Sequence, residues 1–143
     1  DEEKSVAEKI EYMVRLSVRA PREEKALLRL YHEMSSLGNN DFLLRVPHSL
    51  ESFTAGKYIR ILEQGQKRGE VRADLDVSLA AFTMDNVFMS LQKAYSCDYY
   101  MIRLQIYTDP WIGETKNDER VISETLKFLY GALLIPENER KER

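Results

Sequence analysis

Few side chains in this chain could bind a metal or act as a nucleophile. The two histidines, His32 and His48, lie 16 residues apart, and neither has a histidine or cysteine three or four positions away. Metal sites read from sequence need such closely spaced ligands. The single cysteine, Cys97, stands in the aromatic stretch YSCDYY with no histidine near it. We therefore expect no metal site, no cofactor and no cysteine nucleophile.

The glycine pair Gly65 and Gly69 does not form a phosphate-binding loop. The required lysine followed by serine or threonine is missing, and no strand pattern comes before the glycines. Carboxylates are numerous, but at helical spacing such groups are usually solvated surface charges. We therefore expect no enzyme. A helical enzyme whose site is completed by residues distant in sequence remains an alternative.

Composition describes an ordinary globular chain. Its 143 residues suit one domain, residues 1–143, and the net charge of −3 argues against a nucleic-acid surface. One cysteine excludes an internal disulfide and fits a reducing compartment. No apolar run approaches the roughly 20 residues of a membrane span, and no signal peptide opens the chain. We expect a cytoplasmic protein without a membrane partner.

The elements that would position a site are helices. Apolar residues recur at spacings of three and four, and no strand alternation is long enough to compete. We predict an all-α bundle of five to six helices. The predicted ranges are 3–19, ended by Pro21; 21–37; a turn from Asp41 kinked or broken at Pro47, then 49–67; 77–108, either unbroken or bent or interrupted at 96–98; and 117–135.

Large, adaptable side chains recur on the predicted helix faces. Methionine and aromatic residues are common where a pocket accepts varied apolar ligands, and a buried tyrosine hydroxyl needs a partner. Each residue alone fits a plain core. As a group they predict a pocket for a small, largely apolar molecule, with the candidates Met13, Leu16, Tyr31, Met34, Phe53, Tyr58, Met84, Phe88 and Tyr95.

The last two predicted helices carry apolar residues on two sides. In the fourth, Met84, Phe88 and Tyr95 lie on one face, and in the fifth the main face is Ile122, Leu126, Leu129 and Leu133. A surface helix needs only one apolar face. Two interpretations stay open: both helices are enclosed within one bundle, or they meet a second chain. The candidates for such an interface are Phe82, Met89, Tyr100, Val121, Phe128 and Ala132.

The stretch ILEQGQKRGEVRADLDVSLAAFTMDNVFMSL, residues 61–91, resembles the C-terminal half of the TetR (tetracycline-repressor) family of transcriptional regulators. In that family a helix ends in a glycine-rich turn, followed by Gly-Glu-apolar-Arg-x-Asp-apolar-Asp. The matching positions are Gly69, Glu70, Val71, Arg72, Asp74, Leu75 and Asp76, followed by Ala80 and Ala81. The closing ISETLKFLYGALL, residues 122–134, is similar to the family's last helix.

The resemblance implies a ligand-binding and dimerisation domain. The last two helices would pair with those of a second copy as a four-helix bundle, and a small-molecule effector would enter between the other helices. The family's helix-turn-helix domain would precede Asp1 and is expected to be missing here, so DNA would be a partner only through that domain. An interaction module without a ligand is the alternative. We also predict positive φ at Gly69 and a helix cap at Asp76.

Overall fold

The computed structural model describes residues 3–36, 41–136 and 139, with side chains except at 35, 36 and 41–50. This part of the chain contains six α-helices and one 3₁₀ turn and no β-strand, which confirms the all-α class. No helix within it is long and apolar enough to cross a membrane. The helices are α1 (Val6–Glu23), α2 (Lys25–Ser36), α3 (Asp41–Lys67), α4 (Val77–Ser96), α5 (Asp98–Tyr107) and α6 (Asp118–Leu133), with the 3₁₀ turn at Thr115–Asn117.

Helix α1 packs against four of the other helices. It contacts α4 and α6 and also touches α2 and α3. Its buried face is apolar at a spacing of four residues, with Val6, Ile10, Val14 and Val18. The helix begins later than the predicted residue 3 because Ser5 caps it. The Ser5 hydroxyl accepts from the Glu8 N–H at 3.2 Å, and the Glu8 carboxylate accepts from the Ser5 N–H at 2.8 Å.

The predicted helix end at Pro21 is wrong, and of the kink or break predicted at Pro47 the break does not occur. Helix α1 continues through Pro21 to Glu23, and α3 continues through Pro47. A proline inside a helix removes one backbone hydrogen bond and costs about 3 kcal/mol. In α1, Pro21 lies in the last turn and is fully buried, so packing opposes this cost. In α3 the burial of Tyr58 and Leu62 further along the same helix does so.

The long fourth helix of the prediction is divided at Cys97. Helix α4 ends at Ser96, Cys97 is extended with φ −124° and ψ 125°, and α5 begins at Asp98. The Cys97 N–H still donates to the Lys93 carbonyl at 2.9 Å, while its own carbonyl accepts from Tyr100 at 3.1 Å. Of the two predicted alternatives, the interrupted helix is therefore confirmed.

The segment between α3 and α4 ends one helix and starts the next, as predicted. Gly69 has φ +69°, and the N–H of Glu70 donates to the Gly65 carbonyl at 2.8 Å to close the end of α3. The Asp76 side chain accepts from the Leu79 N–H at 3.0 Å and caps α4. Both local predictions are confirmed.

The same segment also holds the end of α6. Val71 pairs with Leu134 as an isolated antiparallel bridge, and the Arg72 N–H donates to the Leu133 carbonyl at 3.0 Å. The Arg72 guanidinium reaches the Ala132 carbonyl at 3.2 Å while it binds Asp74 at 2.7 Å. Residues 69–76 therefore connect α3, α4 and α6 at one end of the bundle.

Candidate functional site

The side chains predicted to line a pocket lie at three depths. Four of them are in the core: Tyr58, Met84, Phe88 and Tyr95. Two are half-buried: Met13 and Tyr31. Three are exposed: Leu16 and Met34, each at 39%, and Phe53 at 78%. Tyr58 of α3 and Phe88 of α4 thus meet inside the bundle, whereas Tyr95 lies further along α4 and the three exposed candidates lie outside this group.

Tyr58 of α3 and Phe88 of α4 stand at the centre of the buried group. Their ring centroids are 5.7 Å apart and the planes are inclined at 68°, an edge-to-face contact. Met84 lies one helical turn before Phe88 on the same face of α4. Burial, together with the negative charge of Asp85, raises the pKa of Tyr58 to about 12. Its hydroxyl therefore stays neutral and can donate a hydrogen bond.

A polar cluster from three helices adjoins this aromatic contact. The Tyr31 hydroxyl of α2 donates to the Glu51 carboxylate of α3 at 2.6 Å. Burial, then this hydrogen bond, raises the pKa of Tyr31 to about 12. Burial raises the pKa of Asp85 on α4 as well, and the charge of Glu51 adds to the rise. The cluster places two carboxylates and two phenol groups next to the contact between Tyr58 and Phe88.

Sequence reasoning missed Glu51 and Asp85. A signal existed for Asp85, because it is the sole acidic residue of α4 and stands one position after Met84 and three before Phe88. An isolated carboxylate beside an apolar face is a recognisable feature. Glu51 had no such signal, since its importance depends on Tyr31, which lies 20 residues earlier in the chain.

Among the described residues, no group of three or more His, Cys, Asp or Glu could hold a metal ion. His32 is buried, and its ring meets that of Tyr31 at 5.6 Å. Burial, then the positive charge of Lys93, lowers the pKa of His32. A neutral imidazole at this position adds a polar surface next to Tyr31. The side chain of His48 lies outside the described part.

A concave site lies at the other end of α4. It is an open cleft of about 300 Å³ between α1, the start of α2 and the α4–α5 junction, and Tyr95 is the pocket candidate that lines it. The Arg22 guanidinium stands 4.9 Å from the centre of the Tyr95 ring. Arg22 is held there by Asp118, with Nε to Oδ2 at 2.9 Å, and by the Gly113 carbonyl at 2.9 Å.

The six predicted interface residues also differ in exposure. Phe82 of α4 and Phe128 of α6 are each 66% exposed, and Tyr100, which belongs to α5, is 38% exposed. Met89 and Ala132 are half-buried, and Val121 lies in the core. The opposite faces of α4 and α6 are buried within the chain, at Phe88 and Leu126 among others. Both helices therefore combine a packed face with exposed aromatic side chains.

The chain has no match among models of known protein families, among curated proteins or among solved structures. No relative therefore supplies a function, a ligand or a residue role.

Proposed function

We propose that this chain is the effector-binding and dimerisation domain of a TetR-like transcriptional regulator. The effector is a small, largely apolar molecule, and DNA binding belongs to a helix-turn-helix domain that the resemblance places before this region. The segment 69–76 supports the proposal. Its glycine turn and its aspartate cap have the geometry that the resemblance leads us to expect.

The exposure of Phe82 and Phe128 is the observation that carries the proposal. Each is 66% exposed on a helix whose other face is buried, and Leu79, one turn before Phe82, is 65% exposed. Neighbouring apolar groups at that exposure, such as Leu79 and Phe82 on α4, form the kind of patch that another molecule often covers. A second copy of the chain would cover the exposed side chains of both helices in one symmetric interface. No catalytic step is assigned to the chain.

The effector site of the proposal is the region around Tyr31, Glu51, Tyr58, Asp85 and Phe88. The aromatic and methionine side chains would contact the apolar body of the effector. The carboxylates would accept hydrogen bonds from its polar groups. Because α2, α3 and α4 each contribute, a ligand that binds one arrangement of these helices better than another would shift their relative positions. In the dimer, α4 would carry that shift to the interface.

The dimer is tested by the molar mass in solution, measured by size-exclusion chromatography with light scattering. We expect twice the chain mass of 16.7 kDa at micromolar concentration. Phe82→Ser combined with Phe128→Ser should yield the monomer with unchanged helix content. Phe53→Ser is the matched control, because Phe53 is 78% exposed on α3. A wild-type chain that is monomeric throughout this range contradicts the proposal.

The effector is tested by native mass spectrometry of the purified dimer, followed by thermal unfolding with a library of small apolar molecules. We expect a co-purified or added molecule that raises the melting temperature. Asp85→Asn should change which molecules do so, because it replaces an acceptor-only carboxylate by an amide. A dimer that no molecule stabilises favours the interaction module without a ligand.

A further inference from the structure

Helix α4 carries a row of side chains on the side opposite to its buried face. We call this row the α4 seam, and it consists of Leu79, Phe82, Asn86, Met89 and Lys93. Its residues recur at alternating spacings of three and four, which is the pattern of a seam between two packed helices. Leu79, Phe82 and Asn86 are exposed, so little of the described chain covers the seam.

The α4 seam has opposite charges at its two ends. Asp76 caps α4 just before the seam, and Lys93 lies in the last turn of the helix. The Lys93 ammonium group stands 5.5 Å from the centre of the Tyr100 ring, and among the described residues no carboxylate pairs with it. Asp85, the other charged residue of α4, belongs to the polar cluster near Glu51 and not to the seam. The seam is therefore complementary in charge to a second seam that runs in the opposite direction.

Two copies of α4 related by a two-fold axis can run parallel or antiparallel. In the parallel arrangement each residue meets its own counterpart, so two Lys93 ammonium groups repel each other at one end and two Asp76 carboxylates at the other. In the antiparallel arrangement each Lys93 approaches the Asp76 of the second copy, and the dipoles of the two helices oppose each other favourably. The charges at the ends of the seam thus favour one of the two arrangements.

We propose that α4 packs antiparallel on α4 of a second copy, with Lys93 of each chain beside Asp76 of the other. The two-fold axis then passes near the middle of the seam, and Leu79 of one chain faces Met89 of the other. This inference rests on the dimer proposed above and adds the direction in which its two chains meet. It does not depend on the role of the dimer in regulation.

The polar groups near the axis are compatible with an interface. In this arrangement Phe82 of one chain faces Asn86 of the other. The Asn86 amide group donates to the Phe82 carbonyl of its own helix at 2.9 Å, and the Thr83 hydroxyl donates to the Leu79 carbonyl at 2.9 Å. Because these donors already have partners in their own helix, a second chain can cover them without leaving them unpaired.

Disulfide cross-linking tests the direction of the two helices. In a Cys97→Ser background, which removes the single native thiol, Leu79→Cys and Met89→Cys are made separately, with a size tag on one of the two chains. The two variants are oxidised alone and as a mixture, and the products are separated by non-reducing electrophoresis. Phe53→Cys, at an exposed position of α3, replaces one partner of the mixture as the control.

We expect the mixture of Leu79→Cys and Met89→Cys to form a cross-linked heterodimer, and each variant alone to form at least tenfold less product. In the antiparallel arrangement the two copies of residue 79 are about 15 Å apart along the helix axis, which exceeds the roughly 7 Å that a disulfide spans between Cα atoms. Parallel helices give the opposite result, because each residue then meets its own copy. Phe53→Cys should cross-link with neither variant.

Removal of charge tests the same pairing without cysteines. Lys93→Gln should raise the dissociation constant of the dimer about fivefold at low salt, because it removes two exposed ion pairs from each dimer. Asp76→Asn should have a similar effect, since asparagine keeps the helix cap and removes the charge. In the double variant the two losses should not add. Lys57→Gln removes an exposed charge from α3 and should leave the dissociation constant unchanged.

Two results would overturn the antiparallel arrangement and leave the proposed dimer intact. One is self-cross-linking of each cysteine variant with little product in the mixture, and the other is a tighter dimer in Lys93→Gln. A chain that is dimeric by light scattering but gives none of the cross-links would place the interface away from the α4 seam. A wild-type chain that is monomeric would contradict both the dimer and the arrangement inferred from it.

Discussion

The Glu70 carboxylate accepts a hydrogen bond from the backbone N–H of Val6 at 2.7 Å, across 64 residues of sequence. Val6 is the first residue of α1, so Glu70 satisfies one of the N–H groups that a helix leaves without a partner at its start. Arg68 pairs with the same carboxylate and keeps it in place. The segment after α3 therefore also determines where α1 begins.

Replacing Glu70 by Ala should destabilise the chain by about 1–2 kcal/mol, the usual cost of losing a helix cap. The Glu70 side chain is 14% exposed, so water replaces the lost acceptor poorly. Urea denaturation followed by circular dichroism measures the change. Glu70→Gln keeps an acceptor oxygen and should lose less. Glu63→Ala, at an exposed position of α3, should change stability by no more than about 0.5 kcal/mol. Equal losses of stability in Glu63→Ala and Glu70→Ala would show that Glu70 does not cap α1.

Gly65→Ala should destabilise the chain by about 1–3 kcal/mol through overpacking. A Cβ atom at Gly65 would stand 2.6 Å from Cγ2 of both Val6 and Val71, and both side chains are fully buried. Gly56→Ala in the same helix meets nothing within 4 Å and should stabilise by about 0.5–1 kcal/mol through helix propensity. Thermal unfolding of the two variants measures these stability changes of opposite sign. Stability changes of the same sign in both variants would show that overpacking does not determine the effect at Gly65.

Gly69→Ala should cost about 1–2 kcal/mol, because the φ of +69° lies in the left-handed region that a side chain disfavours. The cost is conformational, since a Cβ atom there meets nothing within 4 Å. Gly69→Asn should recover part of the loss, because asparagine tolerates this region better than alanine. In chemical denaturation the wild-type chain should be the most stable, Gly69→Asn the next and Gly69→Ala the least stable. An alanine variant as stable as the wild type would contradict it.

Asp85→Asn should stabilise the chain at pH 7, by no more than about 1 kcal/mol for a partly buried group. Burial, then the charge of Glu51, raises the pKa of Asp85 above its ordinary value of 3.8. A carboxyl with a raised pKa binds its proton more tightly in the folded state, so its favourable contribution is present below pH 3.8 and is lost as the pH rises through the folded-state pKa.

The stability difference between Asp85→Asn and the wild type should therefore shrink as the pH falls towards 4. Glu51→Gln keeps an acceptor for Tyr31 but removes the second cause of the shift. In that background the advantage of Asp85→Asn should be smaller. Denaturation curves between pH 4 and 8 provide the test. An advantage that is constant over this range would show that ionisation of Asp85 is not its source.

The local features of this protein could be predicted from its sequence alone. The helical class follows from apolar spacing, the end of α3 from Gly69, and the start of α4 from the Asp76 cap. These features depend on backbone conformation and on hydrogen bonds between residues three or four positions apart, so a short window contains their cause. The break at Cys97 was foreseen as an alternative for the same reason.

Which side chains meet depends on how whole helices pack. Helix α1 continues past Pro21 because burial of that residue opposes the loss of its hydrogen bond. Tyr31 pairs with Glu51 across 20 residues of sequence, and Val6 pairs with Glu70 across 64. Packing also leaves Phe53 exposed while it buries Tyr58 in the same helix. Such outcomes depend on the packing of whole helices against each other, which a periodic pattern along one helix does not contain.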